Sequence, residues 1–306
     1  MKTVIVLGTR PEIIKLAPII KKLKNSSLIF TGQHYDYDMS LQFIKQLGLP
    51  TPNYSLNISK TNPSQQMGEI IIKLSKILSK IKPDTVIVQG DTNTVLAASI
   101  SSLKSKIPVS HVESGLRSFD WRMPEEHNRI ATDHMSELLF APTKNSRKNL
   151  ENEKVHGKIF VTGNTVIDSI NMYSKISAKK SSLEILHDEY ILVTLHRAEN
   201  VDNKTTLSSI ISAILKSNAN FIFPIHPRTI KRLKEFKLYE KLKQSKNVIL
   251  LNSVGYFEIL ELMKNCSFIL SDSGGIQEEA TATSIRKKVL VMRKTTDRPE
   301  SVKNGF

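Results

Sequence analysis

The sequence predicts an α/β protein with two doubly wound domains, each built on a parallel sheet. Short apolar runs alternate with longer amphipathic segments along the chain, as strands alternate with helices in such folds. This series starts twice, with a polar stretch between the two sets. The length of 306 residues agrees, because a single hydrophobic core seldom organises a chain of that size.

The first predicted βα unit lies in the stretch "VIVLGTRPEIIKLAP". Residues 4–7 form a continuous apolar run, as in a buried parallel strand. Gly8 permits a tight turn, and Pro11 suits the first turn of a helix, where its missing N–H is not needed. This geometry directs backbone N–H groups toward an anion. An ordinary βα turn would show the same pattern, but the cations Arg10 and Lys15 favour a phosphate.

Further apolar runs along the chain are predicted to be strands of the same kind. Helix-like patterns fill most of the intervals, for example residues 63–81 and 92–105. The predicted strands are residues 3–7, 28–31, 85–89, 108–112, 137–141, 158–162, 190–195, 220–224, 247–251, 267–271 and 288–292.

The domain boundary is predicted near residue 170. One series of strands ends near "FVTGNTVIDSI", and the second begins at "EYILVTLHRAEN" after the polar linker "SKISAKKSS". The two Rossmann-like domains are therefore expected to span residues 1–170 and 171–306. If they face each other, a cleft forms at the carboxyl ends of both sheets, where open α/β folds bind their ligands.

Composition argues against several classes of protein. No stretch approaches the length of a membrane span, and the N-terminus leads directly into a strand, so we expect neither a signal peptide nor a membrane partner. Cys266 is the single cysteine, which fits a reducing cytoplasm. The formal charge of +15 is compatible with nucleic-acid binding, but the lysines are scattered over many helix-like segments, which favours a solvated surface instead. No cysteine–histidine cluster indicates a metal.

Carboxylates follow two successive predicted strands. Asp91 comes after "TVIVQG" and Glu113 after "VSHV", and the stretch "MPEEHNR" adds Glu125 and Glu126. Each carboxylate alone is explained by a helix cap or a turn. As a set at neighbouring strand ends, they favour function, because clustered carboxylates can have separated pKa values and divide acid and base roles.

The second domain offers histidines in similar positions. His196 and Arg197 follow a strand end in "VTLHRAEN", which suits proton transfer or phosphate contact. His226 and Arg228 follow the next strand in "FPIHPRT", where a structural and a functional role explain the pattern equally well.

The stretch "ILSDSGGIQEEA" is the strongest anion signal of the sequence. Ser273, Gly274 and Gly275 form a turn between a strand and a helix, so backbone N–H groups could approach a phosphate closely. Glu278 and Glu279 follow in the first turn of that helix, where one could complement the helix dipole and the other could bind ribose hydroxyls. The pattern matches neither the P-loop nor the dinucleotide fingerprint, which argues against an ATPase and a dehydrogenase.

These motifs together resemble the non-hydrolysing UDP-N-acetylglucosamine 2-epimerases. The resemblance covers nearly the whole chain, from residue 8 to residue 300, in the order of that family. It implies a fold of the glycosyltransferase-B type, with UDP held mainly by the second domain. The matching stretches are "GTRPEIIKLAP", "TGQHYDYDM", "QGDTNTVLA", "HVESGLRS", "MPEEHNR", "LFAPT", "VTGNTVID", "TLHRAEN", "FPIHPRT", "GYFEIL", "DSGGIQEEA" and "RKTTDRPE".

The resemblance also implies a reaction and its residues. Such enzymes eliminate UDP across C1 and C2 of the sugar and add it back with inversion at C2, without a metal or a redox cofactor. The catalytic residues implied are Asp91, Glu113, Glu125 and His196. Diphosphate contacts are implied for Arg10, Lys15, His196, Ser273, Gly274, Gly275 and Arg298, a ribose contact for Glu279 and a uracil contact for Tyr256. A regulatory site for a second UDP-N-acetylglucosamine would involve Gln33, His34, Gln66, Arg197 and His226.

Two features of the sequence depart from the family pattern. The stretch after Glu279 is two residues longer and has no glycine, which affects the position of Arg298. The family also continues through another strand and further helices beyond "SVKNGF", so the second domain is expected to be truncated. The resemblance implies a cytoplasmic isomerase that forms homodimers. Rival interpretations remain open. One is an epimerase, possibly hydrolysing, for another UDP-2-acetamido sugar, and a second is a hydrolysing variant that releases free N-acetylmannosamine. The others are a glycosyltransferase of the same fold and a UDP-sugar-binding protein without activity.

Overall fold

The computed structural model describes residues 1–32, 37–58, 62–181, 183, 189–252 and 254–293. The chain divides into two compact units, Met1–Ser169 and Ile170–Phe306. Each unit is built around its own parallel sheet. None of the helices formed by the described residues has both the length and the apolar character that are needed to cross a membrane.

The sheet of the first unit has the strand order β3-β2-β1-β4-β5-β6-β7, and all of its pairings are parallel. The order reverses direction beside β1, as in doubly wound folds that bind ligands at this switch point. The strands are β1 (Thr3–Leu7), β2 (Ser26–Phe30), β3 (Tyr54–Ser55), β4 (Thr85–Gln89), β5 (Val109–Val112), β6 (Leu138–Ala141) and β7 (Lys158–Val161).

Helices connect these strands, and several begin at a residue whose side chain caps the first turn. Asn62 accepts hydrogen bonds from the backbone N–H groups of Ser64 and Gln65, and Thr143 accepts one from Ser146. The helices are α1 (Arg10–Lys22), α2 (Tyr37–Gln46), α3 (Pro63–Ile81), α4 (Asn93–Lys104), α5 (Pro124–His134), α6 (Lys144–Asn152) and α7 (Thr165–Tyr173).

The core of the first unit lies between the sheet and the helices α3 and α4. On α3, Ile70, Leu74 and Leu78 recur every four residues and are fully buried, so one face of this helix packs on the sheet. They contact buried side chains of β1 and β4, including Val4 and Val86. Burying each of these aliphatic side chains stabilises the fold by about 1.5–3 kcal/mol. The sheet that carries the loops of the candidate site is therefore firmly packed.

The second unit has a parallel sheet of order β10-β9-β8-β11-β12. Its strands are β8 (Ile191–Thr194), β9 (Phe221–Pro224), β10 (Val248–Leu251), β11 (Phe268–Ser271) and β12 (Val289–Val291). Its helices are α8 (Ser177–Lys180), α9 (Ala198–Val201), α10 (Lys204–Lys216), α11 (Pro227–Glu235), α12 (Tyr239–Lys243), α13 (Tyr256–Asn265) and α14 (Gly274–Glu279).

The predicted α/β fold class with two parallel sheets is confirmed. Every predicted strand is present, with bounds that differ by at most two residues. The helix predicted at 63–81 coincides with α3, and the one predicted at 92–105 corresponds to α4. The sequence did not predict β3, because this edge strand is only two residues long and has no apolar run. The arrangement of two domains across a cleft stays a prediction.

Candidate active site

Three neighbouring strands of the first unit end beside one another and carry most of its candidate residues. The strands β1, β4 and β5 pair in parallel, so their carboxyl ends share one edge of the sheet. Arg10 begins α1 after β1, Asp91 follows β4, and Glu113 follows β5. The structure therefore brings together the candidates that the sequence placed at successive strand ends.

Glu113 is a buried carboxylate in an uncommon backbone conformation. Its φ angle of 70° lies in the left-handed region, which is sterically unfavourable for a residue with a side chain. The carboxylate accepts a hydrogen bond from Gln89, and Lys15 Nζ lies 2.5 Å from Glu113 Oε2. Lys15 thus pairs with a candidate catalytic carboxylate in this structure.

Asp91 is held by a chain of charges that starts at a buried glutamate. Arg129 forms an ion pair with Asp91, and Arg129 Nη1 also lies 3.2 Å from Glu126 Oε2. Glu126 is fully buried and accepts hydrogen bonds from the backbone N–H groups of Ser118 (3.0 Å) and Phe119 (2.9 Å). This chain fixes the side chain of Asp91 relative to α5.

The two adjacent glutamates of "MPEEHNR" occupy different environments. Glu126 is buried in the chain of charges that ends at Asp91, whereas Glu125 is exposed in the first turn of α5. The sequence pattern did not distinguish them. The catalytic role of Glu125 stays a prediction, and the structure adds Glu126 and Arg129 as residues that position Asp91.

Glu12 is a buried carboxylate that the sequence analysis did not single out. Its Oε2 accepts a hydrogen bond from the Gly8 N–H at 2.5 Å, and its Oε1 accepts one from the Thr92 hydroxyl at 2.6 Å. Glu12 thereby joins the turn before α1 to the turn before α4. Burial raises the pKa of Glu12 to about 7, because the carboxylate loses its water, and the hydrogen bonds oppose this shift only in part. The sequence signal was the position of Glu12 in the first turn of α1, where a glutamate can bind free N–H groups.

The sequence pattern also did not predict a second set of buried ionisable residues. His111 lies inside β5, and its ring contacts Asp133 of α5 and the carbonyl oxygen of Gly90. Asp133 also pairs with Arg117, which in turn binds Glu153. A histidine within the apolar strand "VSHV" was the available signal, because a buried ionisable residue requires partners.

In the second unit, Asp272 organises the loop that follows β8. This fully buried carboxylate accepts hydrogen bonds from the backbone N–H groups of His196 (3.1 Å) and Arg197 (3.0 Å). It also accepts one from the Asn200 side chain at 3.0 Å. Asp272 follows β11, the strand next to β8, so one carboxylate fixes the position of His196 and Arg197.

His196 is held as a neutral imidazole. Burial lowers its pKa below the ordinary value, and the nearby charges of Arg197 and Arg228 act in the same direction, against the opposing effect of Asp272. His196 Nδ1 lies 3.3 Å from Asp272 Oδ1. The ring centroid lies 5.9 Å from that of His226, which caps α11 by accepting a hydrogen bond from the Arg228 N–H.

The glycine-rich turn after β11 leads directly into α14. Ser273 precedes this helix, and its hydroxyl accepts a hydrogen bond from the Ile276 N–H at 3.4 Å, while Gly274 and Gly275 form the first turn. Glu279 Oε1 lies 3.6 Å from the point that a Cβ atom on Gly275 would occupy. The carboxylate of Glu279 therefore lies close to the glycine turn. The predicted placement of Glu278 and Glu279 in the first turn of the helix was wrong, because they are the last two residues of α14.

Tyr256 begins α13 and packs in an aromatic cluster. Its ring meets that of Tyr173 edge-on, with centroids 6.0 Å apart, and lies 5.9 Å from that of Phe257. Burial, together with the negative charges of Glu279 and Tyr173, raises the pKa of Tyr256. Tyr256 and Glu279 thus lie within electrostatic reach of each other.

The residues of the predicted regulatory site are distributed over both units. Gln66 is buried in α3 and accepts a hydrogen bond from Asn93 at 3.2 Å. Arg197 and His226 belong to the second unit and precede α9 and α11. Gln33, His34 and the predicted phosphate contact Arg298 lie outside the described residues. Among the described residues, no group of three or more histidine, cysteine, aspartate or glutamate side chains is arranged to hold a metal ion.

Comparison with known proteins gives a consistent result. A sequence profile of the family described as UDP-N-acetylglucosamine 2-epimerase matches residues 20–306. The UDP-N-acetylglucosamine 2-epimerase of Methanocaldococcus jannaschii is 48% identical over 320 residues, covering 100% of this chain and 87% of that protein. The UDP-2,3-diacetamido-2,3-dideoxy-D-glucuronate 2-epimerase of Pseudomonas aeruginosa is 36% identical over 316 residues, with coverage of 100% and 87%.

Solved structures show the same similarity in three dimensions. The crystal structure of the M. jannaschii UDP-GlcNAc 2-epimerase in complex with UDP-GlcNAc and UDP matches with a TM-score of 0.88, covering 99% of this chain and 87% of that one, at 48% identity. The structure of the Neisseria meningitidis UDP-GlcNAc 2-epimerase bound to UDP-GlcNAc matches with a TM-score of 0.87 at 38% identity, covering 99% and 85%.

Proposed function

The chain belongs to the UDP-N-acetylglucosamine 2-epimerase family, and on that premise we propose that it reversibly inverts C2 of UDP-N-acetylglucosamine to give UDP-N-acetylmannosamine. The family resemblance drawn from the motifs is confirmed by the profile match and by the identity to the M. jannaschii protein. The observation that carries the proposal is the pair Asp91 and Glu113 at adjacent strand ends, each held by a cation. Inversion requires the C2–H bond to break, and a fixed carboxylate is a suitable base.

We propose that the reaction proceeds by elimination and re-addition of UDP. A carboxylate takes the proton from C2, the C2–H electron pair forms the C1=C2 double bond, and the C1–O bond breaks to release UDP. In the return step, a proton reaches C2 from the other face and a UDP oxygen adds to C1. The intermediate is 2-acetamidoglucal, and the proposed proton-transfer groups are Asp91, Glu113 and Glu125.

The proposed role of the second unit is to bind UDP as substrate and as leaving group. UDP gains negative charge when the C1–O bond breaks, and fixed hydrogen-bond donors stabilise that charge. The turn at Ser273, Gly274 and Gly275 precedes a helix, and its backbone N–H groups suit this role. His196 is a further proposed contact of the diphosphate. Glu279 is the proposed ribose ligand and Tyr256 the proposed neighbour of uracil. Arg10, Lys15 and Arg298 are the proposed cationic contacts.

The test is proton NMR of the purified chain with UDP-N-acetylglucosamine in heavy water. Elimination and re-addition predict deuterium at C2 and the appearance of UDP-N-acetylmannosamine, without any acceptor sugar. A glycosyltransferase would give neither result in the absence of an acceptor. UDP binding without exchange at C2 would favour a UDP-sugar-binding protein and contradict the proposal.

A second candidate substrate is UDP-2,3-diacetamido-2,3-dideoxy-D-glucuronate. It is favoured by the P. aeruginosa epimerase, which acts on that sugar according to its name and is 36% identical to this chain. Its sugar carries a carboxylate, so a cation near C6 would be needed to bind it. Comparison of kcat/KM for the two substrates decides between them, and a higher value for the diacetamido sugar would overturn the first assignment.

We propose that the enzyme is non-hydrolysing and therefore retains UDP through both half-reactions. The stretches "RPEIIKL" and "DSGGIQEE" support this branch of the family. The product assay distinguishes the alternatives directly. Free N-acetylmannosamine and UDP at rates that match the loss of substrate would identify a hydrolysing enzyme instead.

We also propose that a second UDP-N-acetylglucosamine activates the enzyme through Gln66, Arg197 and His226, together with Gln33 and His34. The motif resemblance supports this proposal. Such an enzyme would convert pure UDP-N-acetylmannosamine only slowly until a small amount of UDP-N-acetylglucosamine is added. Immediate conversion at full rate would contradict activation of this kind.

A further inference from the structure

We propose that His111 and Asp133 are positioning residues that hold the turns carrying Asp91 and Glu113. This inference rests on the proposed function, because it gives those two carboxylates the catalytic work. His111 and Asp133 are not catalytic residues themselves, since both side chains are fully buried among protein groups. Neither was singled out by the sequence pattern.

His111 joins the turn after β4 to helix α5 through the two nitrogens of its ring. His111 Nε2 lies 2.8 Å from the carbonyl oxygen of Gly90, which can only accept a hydrogen bond. His111 Nδ1 lies 2.7 Å from Asp133 Oδ1. The ring therefore links the backbone of Gly90 to the carboxylate of Asp133.

Asp133 is ionised in this environment. Its Oδ2 accepts a hydrogen bond from the Gly115 N–H at 3.1 Å, and Arg117 Nη2 lies 2.8 Å from the same oxygen. Burial alone would raise the pKa of Asp133, but the charges and hydrogen bonds of His111 and Arg117 outweigh burial and lower that pKa. The carboxylate therefore faces donors on both oxygens.

The contacts of Asp133 continue through Arg117 to Glu153. The side chains of Asp133 and Arg117 are fully buried, whereas that of Glu153 is partly exposed and accepts a hydrogen bond from Arg117 Nε at 2.8 Å. His134 Nε2 also lies 3.9 Å from Glu153 at the partly exposed end of the group. A buried ion group of this kind is strongly destabilised when one member is removed, because an uncompensated charge remains.

The same contacts link the two catalytic turns. His111 binds the carbonyl of Gly90, the residue before Asp91, and Asp133 binds the N–H of Gly115, two residues after Glu113. Glu113 itself has a φ angle of 70°, a conformation that persists only when surrounding contacts enforce it. His111 and Asp133 thus fix the backbone next to each of the two proposed catalytic carboxylates.

The first measurement tests the anchor without relying on activity. Asp133 accepts a hydrogen bond from the Gly115 N–H at 3.1 Å, so this amide should exchange with heavy water at least about tenfold faster in Asp133→Asn than in the wild-type chain. Amides in the middle of α3 serve as the internal control and should keep their protection. Unchanged exchange at Gly115 would overturn the proposal, whether or not the chain is an epimerase.

The second measurement tests positioning in the enzyme. Asp133→Asn keeps the shape of the side chain but removes its charge, so the turns lose their common anchor. We expect kcat to fall by about 10²-fold, as for a displacement of about 1 Å, while KM and UDP affinity stay within about twofold. A purely structural role would reduce the amount of folded protein without this separation of kcat from KM.

The matched control is Leu74→Ala, which removes a fully buried side chain of α3 and lowers stability away from the turns. Both variants are assayed where circular dichroism shows them folded. An unchanged kcat in folded Asp133→Asn would overturn the positioning role. An inactive wild-type chain would refute the proposed function instead, and the anchoring of the turns would still be decided by amide exchange at Gly115.

Discussion

At the scale of single residues, the protonation of Glu12 changes near neutral pH. Its pKa is about 7 in the folded protein against an ordinary value of 4.5, because burial removes water from the carboxylate. Between these two values, the folded protein retains a proton that the unfolded chain releases. The contribution of Glu12 to the unfolding free energy is therefore largest below about pH 4.5, and it is lost as the pH rises through about 7.

We predict that Glu12→Gln removes this pH dependence. The amide does not titrate, so the difference in unfolding free energy between wild type and Glu12→Gln should fall by roughly 3 kcal/mol from about pH 4.5 to about pH 8. Urea unfolding of both proteins at several pH values measures this difference in unfolding free energy. Glu137→Gln, at an exposed site, is the control and should leave the pH dependence unchanged. A constant difference across the range would show that Glu12 does not titrate in the folded state.

Glu113 is the residue whose substitution should affect chemistry most directly. We predict that Glu113→Gln lowers kcat by about 10²–10⁴-fold, because the amide cannot accept the proton from C2. Deuterium incorporation at C2 should fall by the same factor, and UDP binding measured by calorimetry should be unaffected.

The control for this prediction is Glu151→Gln, which changes an exposed carboxylate of α6. It should leave turnover unchanged. Deuterium exchange at the wild-type rate in Glu113→Gln would exclude Glu113 as a necessary base and direct attention to Asp91 or Glu125.

Whether the role of a residue could be predicted from the sequence depended on its position in the fold. Asp91 and Glu113 could be placed at one sheet edge because strand ends are readable from apolar runs. The roles of Glu126, Asp133 and His111 could not be read, because they depend on which side chains of α5 and β5 meet in the core. Sequence spacing does not specify such contacts between elements.

At the scale of elements, Gly115 shows how closely α6 packs against the turn after β5. A Cβ atom on Gly115 would lie 2.3 Å from the carbonyl oxygen of Ser146, and the φ angle of Gly115 is 78°. Gly163 has a similar φ of 80°, but a Cβ atom there would have no neighbour within 4 Å. Comparison of Gly115 with Gly163 therefore separates the effect of the left-handed backbone conformation from the effect of steric contact.

We predict that Gly163→Ala costs about 1–2 kcal/mol of unfolding free energy, the cost of a left-handed conformation alone. Gly115→Ala should cost several kcal/mol of unfolding free energy, because α6 must also move away from the turn. The same substitution should lower kcat, because Glu113 lies only two residues from Gly115. Urea unfolding and steady-state kinetics measure both effects. Equal losses of stability in the two variants would contradict a steric role for Gly115.

The elements themselves were largely predictable because each is encoded locally. The run of buried residues in β1 and the four-residue spacing of Ile70, Leu74 and Leu78 in α3 require no knowledge of the rest of the chain. β3 is different, since Tyr54–Ser55 become a strand only by pairing with β2. A two-residue edge strand depends on its neighbour and leaves no periodic signal.

At the scale of the whole molecule, the positive charge bears on how the proposed substrate arrives. The chain carries a formal charge of +15, and UDP-sugars are anions. Basic side chains contribute a long-range field that raises the rate of encounter with an anion, and salt weakens this field. The lysines are spread over many helices, so the effect should depend on ionic strength and not on one residue.

We therefore predict that KM for UDP-N-acetylglucosamine rises about threefold to tenfold when NaCl is raised from about 10 mM to about 100 mM, with kcat unchanged. The Debye length falls from about 30 Å to about 10 Å over this range, so distant lysines no longer attract the diphosphate. Initial rates at several substrate concentrations measure both constants. KCl at the same ionic strength is the control and should give the same change, because screening does not depend on the identity of the cation. A KM that is independent of salt would show that the diphosphate is bound only through short-range contacts in the site.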